Sequence, residues 1–104
     1  MALPAATPEP ASSQAQPSAD ELNKQASKAF MAGHFQQAVE LYEQATRRDP
    51  RNAAAYRGLG LMNEGLGKKD AAIRAYRRAV ELMPAGAQAD AVRKRLDKLE
   101  QPAP

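Results

Sequence analysis

Apolar side chains in the first half of the chain recur every three or four positions, which is the spacing of amphipathic α-helices. A first helix is predicted to begin with Asp20 as its N-cap and to end at Gly33. A second is predicted to begin near Phe35 and to stop at Asp49, because the residue before Pro50 is pushed out of the helical region. The positions predicted to face inward are Leu22, Ala26, Ala29, Phe30, Ala38, Val39, Tyr42 and Ala45.

The same pattern returns, without a gap, when the chain is shifted on itself by 34 residues. The superposed pairs are Gly33 and Gly67, Ala38 and Ala72, Val39 and Ile73, Tyr42 and Tyr76, Ala45 and Ala79, and Pro50 and Pro84. Because small, aromatic and proline positions agree together, two helix–turn–helix units are predicted, over residues 19–52 and 53–86. A fifth helix over residues 87–100 follows, with Val92 and Leu96 facing inward.

The two ends of the chain differ from this part in composition. Residues 1–18 combine Pro, Ala and Ser with few large apolar side chains, which predicts a disordered linker, and residues 101–104 are predicted to be a disordered tail. Neither end has the features of a signal peptide, and no apolar run approaches the roughly 20 residues of a membrane-spanning helix. We therefore expect a cytoplasmic domain over residues 19–100, within a larger, bacterial scaffold, signalling or assembly protein.

The residue types in the chain argue against most enzyme classes. Its 104 residues include no Cys and a single His, which excludes thiol catalysis, disulfides and Cys/His zinc sites. His34 lies in a predicted turn, without a second His or a Ser/Asp pairing nearby. The glycine-rich stretch 58–69 lies in a helix and its turn, whereas a phosphate-binding loop follows a strand. We expect no catalytic residue, no cofactor, no metal site and no small-molecule substrate.

Charge is unevenly distributed along the chain, although its net charge is only +3. Residues 1–46 carry a net charge of −3 and residues 47–104 carry +6. The basic residues fall into three clusters: Arg47, Arg48 and Arg51; Arg74, Arg77 and Arg78; and Arg93, Lys94, Arg95 and Lys98. Because acidic residues are interspersed and no aromatic platform accompanies the clusters, we interpret them as a solvated convex face. Binding of nucleic acid or an anionic surface through this basic half is the alternative.

The repeat resembles the tetratricopeptide repeat family in both spacing and residue type. The matching positions are the small residues Ala26 and Gly60, the turn glycines, and the paired Ala, Tyr and Pro positions given above. The sequence departs from the family at Gln25, where Leu is usual, and at Ala29 and Asn63, where a large aromatic residue is usual, so looser packing is expected there. The resemblance implies an all-α fold: a right-handed α-solenoid of two helix–turn–helix units and a C-terminal capping helix, five helices in all, with tyrosine rings between units.

The resemblance also implies a function, because members of this family bind extended or helical segments of partner proteins in a concave groove. The first helix of each pair forms that groove, and the fifth helix extends it. Transferred to this chain, the groove residues are Asn23, Ser27, Phe30, Met31, Arg57, Leu61, Glu64, Gln88, Ala91 and Arg95. Arg57 and Arg95 suit a partner with acidic character, whereas Phe30 and Met31 either accept apolar side chains or serve only in packing. A protein-binding adaptor is therefore expected.

One known binding mode of the family, a clamp for the carboxylates of chaperone tails, is not expected. That clamp uses Lys and Asn at fixed groove positions, and the matching positions here hold Asn23, Ser27, Gly58 and Val92. A purely structural or oligomerisation element is a further alternative to the adaptor. Two units and a capping helix lie near the lower size limit of a solenoid. We expect a monomer, with weak self-association as the alternative.

Overall fold

The structure, a computed structural model, describes residues 16–83 and 85–101. These residues contain five α-helices and no strand, so the prediction of an all-α solenoid is confirmed. The helices are α1 (Ala19–Met31), α2 (Phe35–Arg48), α3 (Ala53–Gly65), α4 (Lys69–Leu82) and α5 (Ala87–Glu100). Helices α1 and α2 form the first helix–turn–helix unit, α3 and α4 form the second, and α5 packs on α4.

The N-cap of α1 is Ser18, so the prediction of Asp20 was wrong. Ser18 has an extended backbone, and its Oγ accepts a hydrogen bond from the backbone N–H of Glu21 at 3.1 Å. Asp20 lies instead in the first turn, where its negative charge favours the helix N-terminus. Residues 1–15 of the predicted linker and residues 102–104 of the predicted tail lie outside the described residues, as does Pro84.

Glycine ends the turn after the first helix of each unit, as the sequence predicted. Gly33 and Gly67 have φ angles of 84° and 77°, in the left-handed region that glycine adopts without a Cβ penalty. In each turn, the backbone N–H of the following residue donates to the carbonyl oxygen five residues earlier at 2.8 Å. The two units therefore reverse the chain in the same way.

Alanine allows the helices to approach one another closely. The alanines with no exposed surface are Ala26, Ala38, Ala45, Ala55, Ala72 and Ala79. Each helix packs on the next in sequence, and α1 also packs on α3. Small side chains at these contacts shorten the distance between helix axes, because less side-chain volume separates the backbones.

A tyrosine ring fills the space between α2 and α3, and another fills the space between α3 and α4. Tyr42 of α2 lies against Gly58 of α3, where a Cβ would overlap the ring. Tyr76 of α4 has no exposed surface and lies against Gly60 of α3, where a Cβ would again overlap the ring. It also shares a buried cluster with Val92 of α5. Tyr42 therefore lies between the two units, as expected, whereas Tyr76 packs on α3 of its own unit as well as on the capping helix.

Candidate partner-binding groove

Equivalent positions on α1, α3 and α5 form rows across one side of the solenoid. Because the units repeat every 34 residues, the same position can be followed from one first helix to the next. The rows are Asn23, Arg57 and Ala91; Ser27, Leu61 and Arg95; and Phe30, Glu64 and Lys98. Residues three and four apart lie side by side on an α-helix, so the rows together make one continuous surface, which we call the concave face.

Two adjoining cavities lie between α3 and α5 on the concave face, with volumes of about 70 Å³ and about 380 Å³. They share Ala91 and Arg95 and form one trough, which we call the α3–α5 groove. Its lining residues are Arg57, Leu61, Glu64, Tyr76, Ala91, Val92, Lys94, Arg95 and Lys98. The structure thus brings together five of the residues that the sequence predicted for the groove: Arg57, Leu61, Glu64, Ala91 and Arg95.

Glu64 supplies the carboxylate of the α3–α5 groove. Its Oε1 accepts hydrogen bonds from the Tyr76 hydroxyl at 2.8 Å and from Nη1 of Arg95 at 3.0 Å. Burial, and then the neighbouring Glu64 carboxylate, raise the pKa of the Tyr76 hydroxyl above its ordinary value, so the hydroxyl stays protonated and donates at neutral pH. Glu64 therefore joins side chains from α4 and α5 to α3, and it offsets the charge of Arg95.

The other cations of the groove, Arg57, Lys94 and Lys98, have no carboxylate partner within residues 16–83 and 85–101. The Nε of Arg57 is buried and has no hydrogen-bond acceptor there. A buried donor without an acceptor is unfavourable, and a guanidinium forms its strongest hydrogen bonds with carboxylates. The α3–α5 groove is therefore a basic trough with an apolar floor that includes Leu61 and Val92.

On α1, two of the predicted groove residues make hydrogen bonds inside the domain. Nδ2 of Asn23 donates at 3.1 Å to Oδ1 of Asn52, the oxygen that also caps α3 by accepting from the backbone N–H of Ala55 at 3.0 Å. The Oγ of Ser27 lies 3.3 Å from the hydroxyl oxygen of Tyr42. Asn23 and Ser27 therefore help to dock α1 on its neighbours, although Ser27 stays exposed to solvent.

Phe30 and Met31 lie in the last turn of α1 and are exposed, at 45% and 83% of their surface. The ring of Phe30 stacks on that of Phe35, with 5.7 Å between the ring centroids. Stacking on Phe35 therefore gives a structural reason for an apolar residue at position 30, but not for the one at position 31. Gln88, the last of the predicted groove residues, is exposed in the first turn of α5 and lines neither cavity of the α3–α5 groove.

Lys94 and Lys98 line the groove but were not among the residues predicted from the sequence. Lys98 occupies the position of Glu64 one repeat later, so the 34-residue shift contained a signal for it. Lys94 corresponds instead to Gly60, which lies under the ring of Tyr76. The repeat therefore gave no signal that Lys94 would reach the groove.

Several arginines of the second and third basic clusters are paired with carboxylates. The pairs are Arg77 with Glu100, Arg78 with Glu81, Arg93 with Asp90, and Arg95 with Glu64. The guanidinium of Arg78 also lies 5.8 Å from the ring centroid of Tyr56. These contacts reduce the positive charge that the clusters present, which agrees with a solvated surface and weakens the alternative of nucleic-acid binding.

A third cavity, of about 230 Å³, lies outside the groove, among α2, α3 and α4. Its lining residues are Glu43, Tyr56, Leu59, Asn63, Ala71, Arg74 and Ala75. Asn63 is only 8% exposed, and its carboxamide makes no hydrogen bond within the part of the chain that the structure describes. This cavity is at the position where a large aromatic residue is usual in the family that the sequence resembles.

Replacing Asn63 with leucine is expected to stabilise the domain by about 1 kcal/mol, because the leucine side chain fills part of the cavity beside Tyr56 and Leu59. Thermal unfolding followed by circular dichroism should show a Tm increase of about 4–8 °C. The matched control is Asn52→Leu, which loses the cap of α3 and the bond to Asn23 and should lower Tm. A lower Tm for Asn63→Leu would contradict the prediction.

Within the described residues, no helix is long and apolar enough to span a membrane, and no group of three or more His, Cys, Asp or Glu side chains is placed to hold a metal ion.

A family model described as tetratricopeptide repeat matches residues 23–91, from the first turns of α1 to the start of α5. A search of curated proteins gave no match to the chain. The matched range covers the second helix–turn–helix unit and all but the first four residues of the first.

Proposed function

The chain belongs to the tetratricopeptide repeat family, and we propose that it is a non-enzymatic adaptor that binds a segment of a partner protein on its concave face. Repeats of this family generally mediate protein–protein interactions. The observation that carries the proposal is the α3–α5 groove, in which four cationic side chains and one carboxylate surround an apolar floor. A short peptide segment meets both polar and apolar contacts in such a trough.

The charge of the groove favours a partner segment with acidic side chains. Glu64 already offsets Arg95, whereas Arg57, Lys94 and Lys98 have no carboxylate partner in the described part of the chain. Carboxylates of a partner would pair with these cations through charge-assisted hydrogen bonds, which are stronger than bonds between neutral groups. Because exposed ion pairs are screened by salt, the affinity is expected to fall as the ionic strength rises.

Selection from a random peptide display library on the immobilised domain tests this function. We expect the selected peptides to be enriched in Asp and Glu and to bind the Arg57→Glu variant about tenfold or more weakly. The matched control is Arg51→Glu, a charge reversal at an exposed turn residue outside the groove, which should leave the affinity nearly unchanged. Peptides without acidic enrichment, or with equal losses in the two variants, would contradict the proposal.

A further inference from the structure

The first unit carries apolar residues at positions where the second unit does not. The residues Phe30, Met31 and Phe35 correspond, after the shift of 34 residues, to Glu64, Gly65 and Lys69. The two units have the same turn geometry, so the turn does not require apolar side chains at these positions, although Phe35 also packs against the core of the first unit. We call Phe30, Met31 and Phe35 the apolar patch. Because Phe30 and Met31 are exposed, the patch has the properties of a binding surface.

The chemistry of the concave face changes from α1 to α5. In the row of Phe30, Glu64 and Lys98, the side chains pass from aromatic to acidic to basic. Glu64, in the middle, is held by hydrogen bonds from Tyr76 and Arg95. A partner segment that crosses the whole face therefore meets an apolar surface over α1 and a basic trough between α3 and α5.

We propose that the partner segment has two parts: an aromatic or aliphatic side chain that packs on the apolar patch, and acidic side chains that enter the α3–α5 groove. This inference rests on the proposed function and adds a specificity to it. Packed helices lie ~8–10 Å apart. Helix α1 packs on α3, whereas the groove separates α3 from α5, so α1 and α5 lie at least ~16–20 Å apart. An extended chain advances ~3.3–3.6 Å per residue, so the two parts of the segment are about five or more residues apart.

The two parts contribute in different ways. Ion pairs in the groove are screened by salt, so the acidic part supplies charge selectivity and an affinity that falls as the ionic strength rises. Burial of a large apolar side chain is insensitive to moderate salt and raises the affinity by a factor of about ten or more. A segment with both parts at the right spacing is therefore distinguished from acidic segments in general.

Synthetic fluorescein-labelled peptides test the inference by fluorescence anisotropy with the full chain. The parent peptide has one Phe and a run of Glu residues, separated by a Gly/Ser spacer of about five residues. Replacing the Phe with Ser, or removing the spacer, should lower the affinity about tenfold. Met31→Gln should weaken binding of the parent peptide but not of the Ser peptide, whereas Arg57→Glu should weaken binding of both.

The outcomes separate this inference from the proposed function. Equal affinity for the parent, Ser and spacer-free peptides, with no effect of Met31→Gln, overturns the two-part segment and leaves the acidic groove intact. If none of the acidic peptides binds, the proposed function fails and the inference fails with it. Met31 is 83% exposed, so Met31→Gln should leave Tm unchanged, and a measured Tm confirms that any loss of binding is local.

Discussion

Replacing Gly60 with alanine is expected to lower the free energy of unfolding by about 2 kcal/mol, although the same change in an unconstrained helix stabilises by up to about 1 kcal/mol. A Cβ at Gly60 would overlap Cδ1 and Cε1 of Tyr76 and would lie 2.8 Å from Cζ. The ring of Tyr76 has no exposed surface, and Glu64 holds its hydroxyl. Because the ring is buried and its hydroxyl is held by Glu64, we expect overpacking to outweigh the gain in helix propensity.

Gly65, in the same helix, provides the matched control. A Cβ there meets nothing within 4 Å, so Gly65→Ala is expected to stabilise the domain by up to about 1 kcal/mol. Urea denaturation followed by circular dichroism measures both variants. Changes of the same sign and size at Gly60 and Gly65 would show that contact with the Tyr76 ring does not limit how closely α3 and α4 approach.

The close approach of α3 and α4 was only partly predictable from the sequence. The 34-residue shift identified Tyr76, because residue type and spacing repeat there, and the resemblance to the family identified Gly60 as a small-residue position. Which ring lies over which glycine depends on how the helices pack, and a one-dimensional pattern does not contain that information. The N-cap of α1 was predicted wrongly for a similar reason. Ser18 and Asp20 have nearly equal N-cap preferences, so the backbone conformation decides between them.

The candidate groove was predictable where it follows the repeat, but not where it depends on side chains that meet across helices. Arg57 and Leu61 were identified by transferring the groove of the family onto the repeat positions of this chain. Glu64 was identified in the same way, yet its carboxylate is bonded by Tyr76 and Arg95, which lie 12 and 31 residues away in sequence. Such bonds depend on the rotamers and relative positions of three helices, whereas residue spacing specifies only the face of one helix.

Removing the ring of Tyr76 is expected to have the largest effect on stability. Truncation of a buried aromatic side chain to alanine typically costs about 3–5 kcal/mol, a large part of the roughly 5–15 kcal/mol that stabilises a typical domain. Tyr76→Phe keeps the ring and removes only the hydroxyl that donates to Glu64, so a loss of about 1 kcal/mol is expected. Urea denaturation of the two variants separates the contribution of the ring from that of the hydrogen bond.

The loss in Tyr76→Ala should also be local, because the stability of a solenoid is a sum of unit terms and interfaces between neighbours. Tyr76 packs in a cluster with Val92, so amide hydrogen exchange should increase more in α5 than in α2. In the Tyr76→Ala background, Gly60→Ala should no longer destabilise, since the ring that its Cβ would overlap is absent. The two substitutions would then be coupled by about 2 kcal/mol, whereas additive effects, or equal increases in exchange in α2 and α5, would contradict the role assigned to Tyr76.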